Sequence, residues 1–213
     1  MNLMQRPPLI HRLLIPGAVW RIRDKEVPDR KVAYITFDDG PIPEVTPWVL
    51  DVLDKFDIKA TFFMVGENVK RHPALLREVI DRGHSVGNHT MRHTPGLRCS
   101  RSTYMAGVNE AAALIPGSLF RPPHGMLRYS QLKAVRRSHT VVMHDLVTMD
   151  YDSRQWPWEI INRVRRYVRP GSIIVFHDSL KAEQNLRATL ENVLFWLKDS
   201  GYELLPLPSD SPR

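Results

Sequence analysis

The sequence predicts a single α/β domain with a parallel sheet, and three observations support this. Short apolar segments of strand length alternate with segments of helical periodicity, which is the pattern of parallel β/α architecture. The 213 residues are enough for one domain with a sizeable core. No internal repeat or low-complexity linker divides the chain. The alternation alone leaves a closed barrel and a doubly wound sheet as equal alternatives.

The predicted strands are short runs of apolar residues bounded by turn-forming or polar residues. They lie at 32–37, 59–66, 84–89, 119–120, 140–147, 172–176 and 202–207. Runs of this kind are apolar on both faces, so we expect them to lie inside a sheet that helices cover on the outside.

The predicted helices carry apolar residues three and four positions apart. They begin at 46, 72, 101, 130, 157 and 185 and end near 56, 83, 114, 137, 168 and 199. Thr46 is expected to cap the first helix with Pro47 at its first position, and Gly83 to end the second. Trp156 and Trp158 are expected to pack at the start of the fifth.

The charge balance favours an ordinary soluble protein. Lys and Arg number 30 and Asp and Glu 23, a formal net charge of +7. The basic residues are scattered, and the densest group is expected to form a solvated helix face rather than a polyanion site, so no nucleic-acid partner is predicted. That group comprises Arg163, Arg165, Arg166 and Arg169. Cys99 is the only cysteine, which excludes an intrachain disulfide and a thiolate metal cluster.

Residues 1–31 are predicted to be an N-terminal extension packed on the domain, and residues 208–213 a short tail. The apolar stretch near the N-terminus resembles a signal peptide only briefly, because His11, Arg12 and Pro16 interrupt it. No segment reaches the ~18 apolar residues of a membrane span. A cytoplasmic location is therefore favoured, with atypical export to the cell envelope as the alternative.

Ionisable residues stand at the ends of most predicted strands. The first strand ends at Asp38 and Asp39, and later ones end at His89, Arg121, Asp150 and His177. In both parallel architectures the functional residues lie at the carboxyl ends of the strands. Strand ends need only turn residues, so this distribution predicts a catalytic or metal-binding site at one end of the sheet.

The segment HTMRH, residues 89–93, offers two metal ligands. On a helical turn, His89 and His93 share one face and can reach one cation. The adjacent pair Asp38 and Asp39 can supply a third ligand, leaving open positions on a hydrolytic ion. Neighbouring side chains at a strand end diverge, so one carboxylate can bind the metal while the other takes a proton from water. The alternative for the pair is simple turn capping.

Two further segments offer acid–base groups. His177 in VFHDS can protonate a leaving group, although a structural histidine is an equal alternative. In RPPHG the two prolines form a rigid turn that holds Arg121 and His124, and an arginine beside a carboxylate keeps it ionised. A structural turn with a solvated arginine is the alternative.

Four segments in this order, TFDDGP, HTMRH, RPPHG and IIVFHD, resemble the polysaccharide deacetylases with a NodB-homology domain, carbohydrate esterase family four. The resemblance covers residues 32–207. It implies a distorted (β/α) barrel of about seven units. It also implies an enzyme that uses one divalent metal to remove N-acetyl groups from N-acetylhexosamines in chitin-like glycans, peptidoglycan or related sugars.

The resemblance implies a role for each matching residue. Asp38 corresponds to the general base, Asp39 with His89 and His93 to the metal ligands, and His177 to the general acid. Arg121 corresponds to the residue that orients the base. Asp150 is preferred as the partner of His177, with Asp152 in reserve; a competing register of the fourth motif places Gln155 and Trp156 there. The residues implied to line the substrate site are Pro122, His124, Tyr151 and Val175.

Departures from the family pattern fall at His124, Tyr151 and Val175, where another aromatic residue, Trp and Leu are usual. They concern the choice of sugar more than the chemistry. Zinc is the expected ion, with cobalt, nickel or manganese as alternatives because these ligands discriminate poorly. The rival functions are a non-catalytic glycan-binding protein of the same fold and a metal-dependent phosphoesterase. The sequence leaves the oligomeric state open.

Overall fold

The structure is a computed structural model that describes residue 7 and residues 9–22 and 30–208. Its strands are β1 Val32–Asp38, β2 Thr61–Met64, β3 Ser85–Asn88, β4 Leu119–Phe120, β5 Thr140–Val141, β6 Leu146–Val147, β7 Ser172–His177 and β8 Glu203–Leu205. Its α-helices are α1 Leu9–Leu14, α2 Thr46–Lys55, α3 Gly66–Arg71, α4 Pro73–Asp81, α5 Arg101–Ala112, α6 Tyr129–Val135, α7 Pro157–Tyr167 and α8 Glu183–Asp199.

The strands form one parallel sheet that curls into a distorted barrel. Its order is β5-β4-β3-β2-β1-β7-β6, and β8 pairs with the start of β1. β5 and β6 stand at opposite ends of this order although only residues 142–145 separate them in the chain. The two edges of the sheet must therefore lie close together. The prediction of a single distorted (β/α) barrel is confirmed.

The predicted strand 140–147 is divided, which is a correction to the sequence analysis. Its first half pairs with β4 and its second half with β7, so the chain crosses from one edge of the sheet to the other between them. At the crossing, Val19 donates a backbone hydrogen bond to Val141 O at 2.8 Å and accepts one from Met143 N at 2.7 Å. Apolar periodicity contains no signal for such a change of partner.

Residues 9–22 of the predicted extension pack against the barrel. Ile15 and Trp20 are buried in a cluster with Phe120 and Val141, and Arg12 forms an ion pair with the buried Asp145 at 3.0 Å. The short helix α1 was not predicted. Residues 1–6, 8 and 23–29 of the extension and residues 209–213 of the tail lie outside the described residues. Within the part of the chain that is described, no helix is long and apolar enough to cross a membrane.

The two faces of β1 explain where the site lies. Ile35 and Phe37 face outward into the main core beneath the helices. Tyr34 belongs to a separate apolar cluster with Phe63 and Ile173. Because side chains alternate along a strand, Thr36 and Asp38 share this inner face with Tyr34 and lie closer to the carboxyl end. The interior therefore changes from apolar to polar toward the end where the loops meet.

Several local predictions need correction. Thr46 does not cap α2; Val45 holds the N-cap position, and the Thr46 hydroxyl bonds elsewhere. The helix α3 was missed because it is only 6 residues long. Trp156 and Trp158 do not pack inward, since they are 66% and 60% exposed.

The basic group of the predicted fifth helix is also not a uniformly solvated face. Arg163 is buried and donates to Thr148 O and Gln155 Oε1. Arg169 lies beyond the end of α7 and forms an ion pair with Asp145 at 2.5 Å. Both arginines are therefore engaged in tertiary contacts inside the molecule.

Candidate active site

The carboxyl end of the barrel brings most of the predicted site residues together. Asp38 is the last residue of β1 and lies in register with Phe63 of β2 and His177 of β7. Asp39 follows in a left-handed backbone conformation, with φ at 85°. This conformation is uncommon for a residue other than glycine, and it turns the Asp39 side chain away from that of Asp38.

Asp39, His89 and His93 form a group that could hold a cation, because one ligand atom from each lies within 4.8 Å of the others. Asp39 Oδ1 lies 3.2 Å from His93 Nε2 and 3.7 Å from His89 Nε2. Among the described residues no group donates a hydrogen bond to this buried oxygen. A buried carboxylate oxygen without a donor, facing two imidazole nitrogens, fits a divalent cation with nitrogen and oxygen ligands.

The tautomer of His89 is set by its other nitrogen. Nδ1 lies 2.7 Å from the carbonyl oxygen of Arg121, which can only accept, so Nδ1 carries the proton and Nε2 presents its lone pair. Burial lowers the pKa of His89 to about 4, which keeps the ring neutral at physiological pH. For Asp39, burial opposes ionisation, but the neighbouring imidazoles His93, His177 and His89 outweigh it and hold the pKa well below its usual value.

The two histidines do not lie on a helical turn, which corrects the sequence analysis. His89 directly follows β3, and residues 89–95 form an irregular loop. Thr90 and His93 have φ values of 64° and 50°, and Thr90 N donates to Asn88 Oδ1 at 2.8 Å. The loop therefore brings His93 back toward His89 by a tight reversal, which achieves the convergence that the spacing suggested.

Asp38 faces the barrel interior, where Arg121 binds it. Arg121 Nη1 donates to Asp38 Oδ1 and to Thr36 Oγ1, both at 2.7 Å, and Nη2 donates to Met143 O at 3.0 Å. The guanidinium also lies over the Phe63 ring at 4.1 Å from its centroid. Asp38 is 6% exposed and Arg121 2%. A buried, charge-assisted contact of this kind fixes the direction of the carboxylate.

His177 is held by Asp150 and not by Asp152. Its Nδ1 lies 2.8 Å from Asp150 Oδ1, and its backbone N–H donates to Asp150 Oδ2 at 2.8 Å. Burial alone lowers the pKa of His177, but the charge and hydrogen bond of Asp150 dominate and raise it to about 9. Asp152 instead forms an ion pair with Arg154 at 2.9 Å.

Of the four residues implied to line the substrate site, two contact these groups through their rings and two are their neighbours along the chain. The His124 ring meets the His93 ring edge to face at 4.7 Å, and the Tyr151 ring meets that of His177 at 4.9 Å. Val175 is buried two residues before His177 on the same strand, and Pro122 is buried directly after Arg121. Gln155, from the competing register, accepts a hydrogen bond from Arg163.

Backbone strain is concentrated at this end of the barrel. Among the described residues, the non-glycine residues with positive φ include five at the site, namely Asp39, Thr90, His93, His124 and Met149. Such conformations persist only where surrounding contacts enforce them, and they cluster at functional sites. Asp57 is the exception.

Two residues that contact the loop after β1, Asp178 and Asn68, were not predicted as site residues. Asp178 accepts from Gly40 N at 3.0 Å and from Thr46 Oγ1 at 2.7 Å, and burial raises its pKa to about 8. Asn68 Nδ2 donates to Asp39 O at 2.8 Å. Asp178 stands beside His177 at a strand end, which was a visible signal, whereas nothing in the sequence distinguishes Asn68.

Chemically, the site places a group that could hold a cation beside a carboxylate able to accept a proton and an imidazole able to donate one. The carboxylate is Asp38, which is bound by Arg121, and the imidazole is that of His177, which is bound by Asp150. A cation flanked by a general base and a general acid is the arrangement of a metal-assisted hydrolase.

Comparisons with known proteins identify the family of this chain. The family model described as polysaccharide deacetylase matches residues 25–143. A peptidoglycan-N-acetylglucosamine deacetylase from Bacillus cereus is 33% identical, covering 84% of this chain and 88% of the relative. A chitooligosaccharide deacetylase from Bradyrhizobium sp. is 32% identical, covering 86% and 92%. The crystal structure of the Bc1960 peptidoglycan N-acetylglucosamine deacetylase superposes with a TM-score of 0.83 at 28% identity, covering 91% and 92%. The chain therefore belongs to the polysaccharide deacetylase family.

Proposed function

We propose that this protein is a metal-dependent deacetylase that hydrolyses the N-acetyl groups of N-acetylhexosamine-containing glycans, such as peptidoglycan or chitin-like oligomers. The observation that carries the proposal is the unpartnered Asp39 oxygen facing His89 and His93, with Asp38 and His177 contributed by neighbouring strands. The relatives named as peptidoglycan and chitooligosaccharide deacetylases support this substrate class.

In the proposed mechanism, Asp39, His89 and His93 would hold one divalent cation, and the chemistry that it would supply there is Lewis acidity toward the acetamide carbonyl and a water molecule. Asp38 accepts the proton of the attacking water, and Arg121 keeps the Asp38 carboxylate ionised and oriented. A backbone N–H near His124 helps to stabilise the oxyanion.

The second proton transfer belongs to His177. Because Asp150 accepts from Nδ1, the Nε2–H of His177 is free to protonate the leaving amine, after which acetate departs. The raised pKa of His177, about 9, keeps this proton in place at neutral pH. Zinc is the proposed ion; cobalt, nickel and manganese suit the same three ligands.

The decisive experiment measures acetate release from N-acetylated chitooligosaccharides and peptidoglycan fragments, with and without chelator. Phosphate release from a model phosphoester and binding of the same glycans are measured in parallel. We expect acetate release that chelator abolishes and zinc restores. Binding without release would favour the non-catalytic glycan-binding protein, and phosphate release would favour the phosphoesterase.

Two variants separate the metal from the base. Asp38→Asn should retain zinc and lose about 10²–10⁴ in rate, because it removes the proton acceptor and leaves the three ligands intact. His89→Ala should lose zinc itself. The exposed His11 provides a matched control, and His11→Ala should keep both zinc and activity. Full activity of metal-stripped His89→Ala would overturn the proposed function.

A further inference from the structure

The loop that carries Asp38 and Asp39 is bound from behind by Asp178. This carboxylate is 1% exposed and directly follows β7. Its Oδ1 accepts from Gly40 N at 3.0 Å, its Oδ2 accepts from Thr46 Oγ1 at 2.7 Å, and its backbone N–H donates to Asp38 O at 3.1 Å. Asp178 therefore ties the end of β7 to both the loop after β1 and the first residue of α2.

The backbone of Asp39 needs such support. Its φ of 85° lies in a region that side-chain-bearing residues rarely adopt. Two contacts fix the residue itself: Asp39 N donates to Phe63 O at 3.2 Å, and Asn68 Nδ2 donates to Asp39 O at 2.8 Å. The contact of Asp178 with Gly40 N fixes the next peptide, so the unfavourable conformation is held on both sides.

The approach of Asp178 to the loop is close enough to require glycine at position 40. A Cβ atom built on Gly40 would lie 2.0 Å from Asp178 Oδ2 and 2.7 Å from Oδ1. The carboxylate thus packs directly on the peptide backbone. Thr46, whose hydroxyl accepts from Ile42 N at 2.8 Å while donating to Asp178, extends the same network to the start of α2.

We infer that Asp178 is a positioning residue that aims the Asp39 carboxylate at His89 and His93 before a cation binds. This inference rests on the proposed function, since it assigns Asp178 to the assembly of the proposed metal site. The two side-chain oxygens of Asp178 bind the Gly40 N–H and the Thr46 hydroxyl, which fixes the loop at two points. A ligand fixed in this way loses little freedom when the cation arrives, so the site binds more tightly.

The test measures zinc affinity of the full chain by competition with a chromophoric chelator. Asp178→Ala should weaken zinc binding by about 10–100-fold, the usual effect of removing a group that orients a metal ligand. Thr46→Val removes only the hydroxyl and should weaken binding in the same direction. Asp178→Asn keeps one acceptor for Gly40 N and should retain part of the affinity that Asp178→Ala loses.

The matched control is Asp145→Asn. Asp145 is also a fully buried carboxylate and accepts from Ser172 Oγ at 2.8 Å, at the opposite end of β7. The Asp145→Asn substitution should lower the free energy of unfolding without changing zinc affinity. If Asp178 had only a structural role, Asp178→Ala would likewise lower the free energy of unfolding and leave zinc affinity unchanged. The comparison of the two variants therefore separates stability from positioning.

Each outcome decides the inference. Zinc affinity of Asp178→Ala or Thr46→Val equal to that of the wild type would overturn it, as would an equal loss in Asp145→Asn. If Asp178→Ala does not fold, Thr46→Val and Asp178→Asn provide the decision. If the wild type binds none of zinc, cobalt, nickel and manganese, the proposed metal dependence itself is refuted, and this outcome is read from the wild type alone.

Discussion

Replacing Asp150 by Asn should move the alkaline limb of the pH profile of kcat/KM to lower pH. Asp150 is fully buried and contributes most to raising the pKa of His177 to about 9, with smaller contributions from the charges of Asp39 and Asp38. Without the charge of Asp150, we expect that pKa to fall toward its ordinary value of 6.5, because burial still disfavours the imidazolium and opposes the attraction of Asp39 and Asp38. The proton that His177 donates to the leaving amine is then lost at a lower pH.

The size of the effect follows from the protonated fraction of His177. At pH 8, a group with a pKa of about 9 is about 90% protonated, whereas one with a pKa of about 6.5 is about 3% protonated. Asp150→Asn should therefore reduce kcat/KM more at pH 8 than at pH 5.5, by up to about 30-fold. A further loss of kcat/KM, independent of pH, is expected because the Asn amide has one acceptor oxygen and cannot accept from both the backbone N–H and the ring Nδ1–H of His177.

The assay is acetate release by the zinc-loaded enzyme between pH 5 and 10, reported as the ratio of variant to wild-type kcat/KM at each pH. Asp152→Asn is the matched control, because Asp152 pairs with Arg154 and should leave the profile unchanged. The reasoning is refuted if the ratio for Asp150→Asn is the same at pH 5.5 and pH 8, or if Asp152→Asn moves the limb instead.

Two further predictions concern other buried groups. Burial lowers the pKa of His84 from 6.5 to about 4, so its stabilising contribution is present above pH 6.5 and is lost as the pH falls toward 4. The free energy of unfolding, measured by denaturant titration, should fall between pH 7.5 and pH 5 in both proteins, but by about 2 kcal/mol less in His84→Asn than in the wild type. An equal fall in His84→Asn and the wild type would contradict this, as would a similarly reduced fall in the control His11→Asn. Arg121→Lys should reduce kcat by about 10² because a lysine cannot bind Asp38, Thr36 and Met143 O together. Zinc affinity should change little in this variant, because His89 is held by the backbone carbonyl of residue 121, which the substitution keeps. Weaker zinc binding with an unchanged kcat would contradict this prediction.

The parallel α/β architecture and the end of the sheet that carries the site could be predicted because both depend on local patterns. Short apolar runs predict buried parallel strands, and the residues at the ends of β1, β3 and β7 predict where the polar groups lie. These patterns leave a barrel and a doubly wound sheet open, and the barrel was implied by the four motifs that resemble a known family. The spacing of His89 and His93 predicted convergence but not its cause. A helix and a tight loop both bring residues four apart together, and the positive φ of Thr90 and His93 leaves no mark in the composition of the segment.

Other features depend on contacts between distant parts of the chain. The hydroxyl of Thr46 could cap its own helix or bind Asp178, which is 132 positions away, and it binds Asp178 because folding brings the two side chains together. The division of the strand 140–147 likewise follows from its two partners, β4 and β7. The inward turn of Arg163 depends on Thr148 and Gln155. These are tertiary effects that override local preference.

The two contacts of Arg121 link a proposed metal ligand to the proposed base. Its carbonyl oxygen binds His89, and its guanidinium binds Asp38. A substitution that shifts the backbone and side chain of residue 121 should therefore affect cation affinity and proton acceptance in the same variant, although the two groups lie at the ends of different strands.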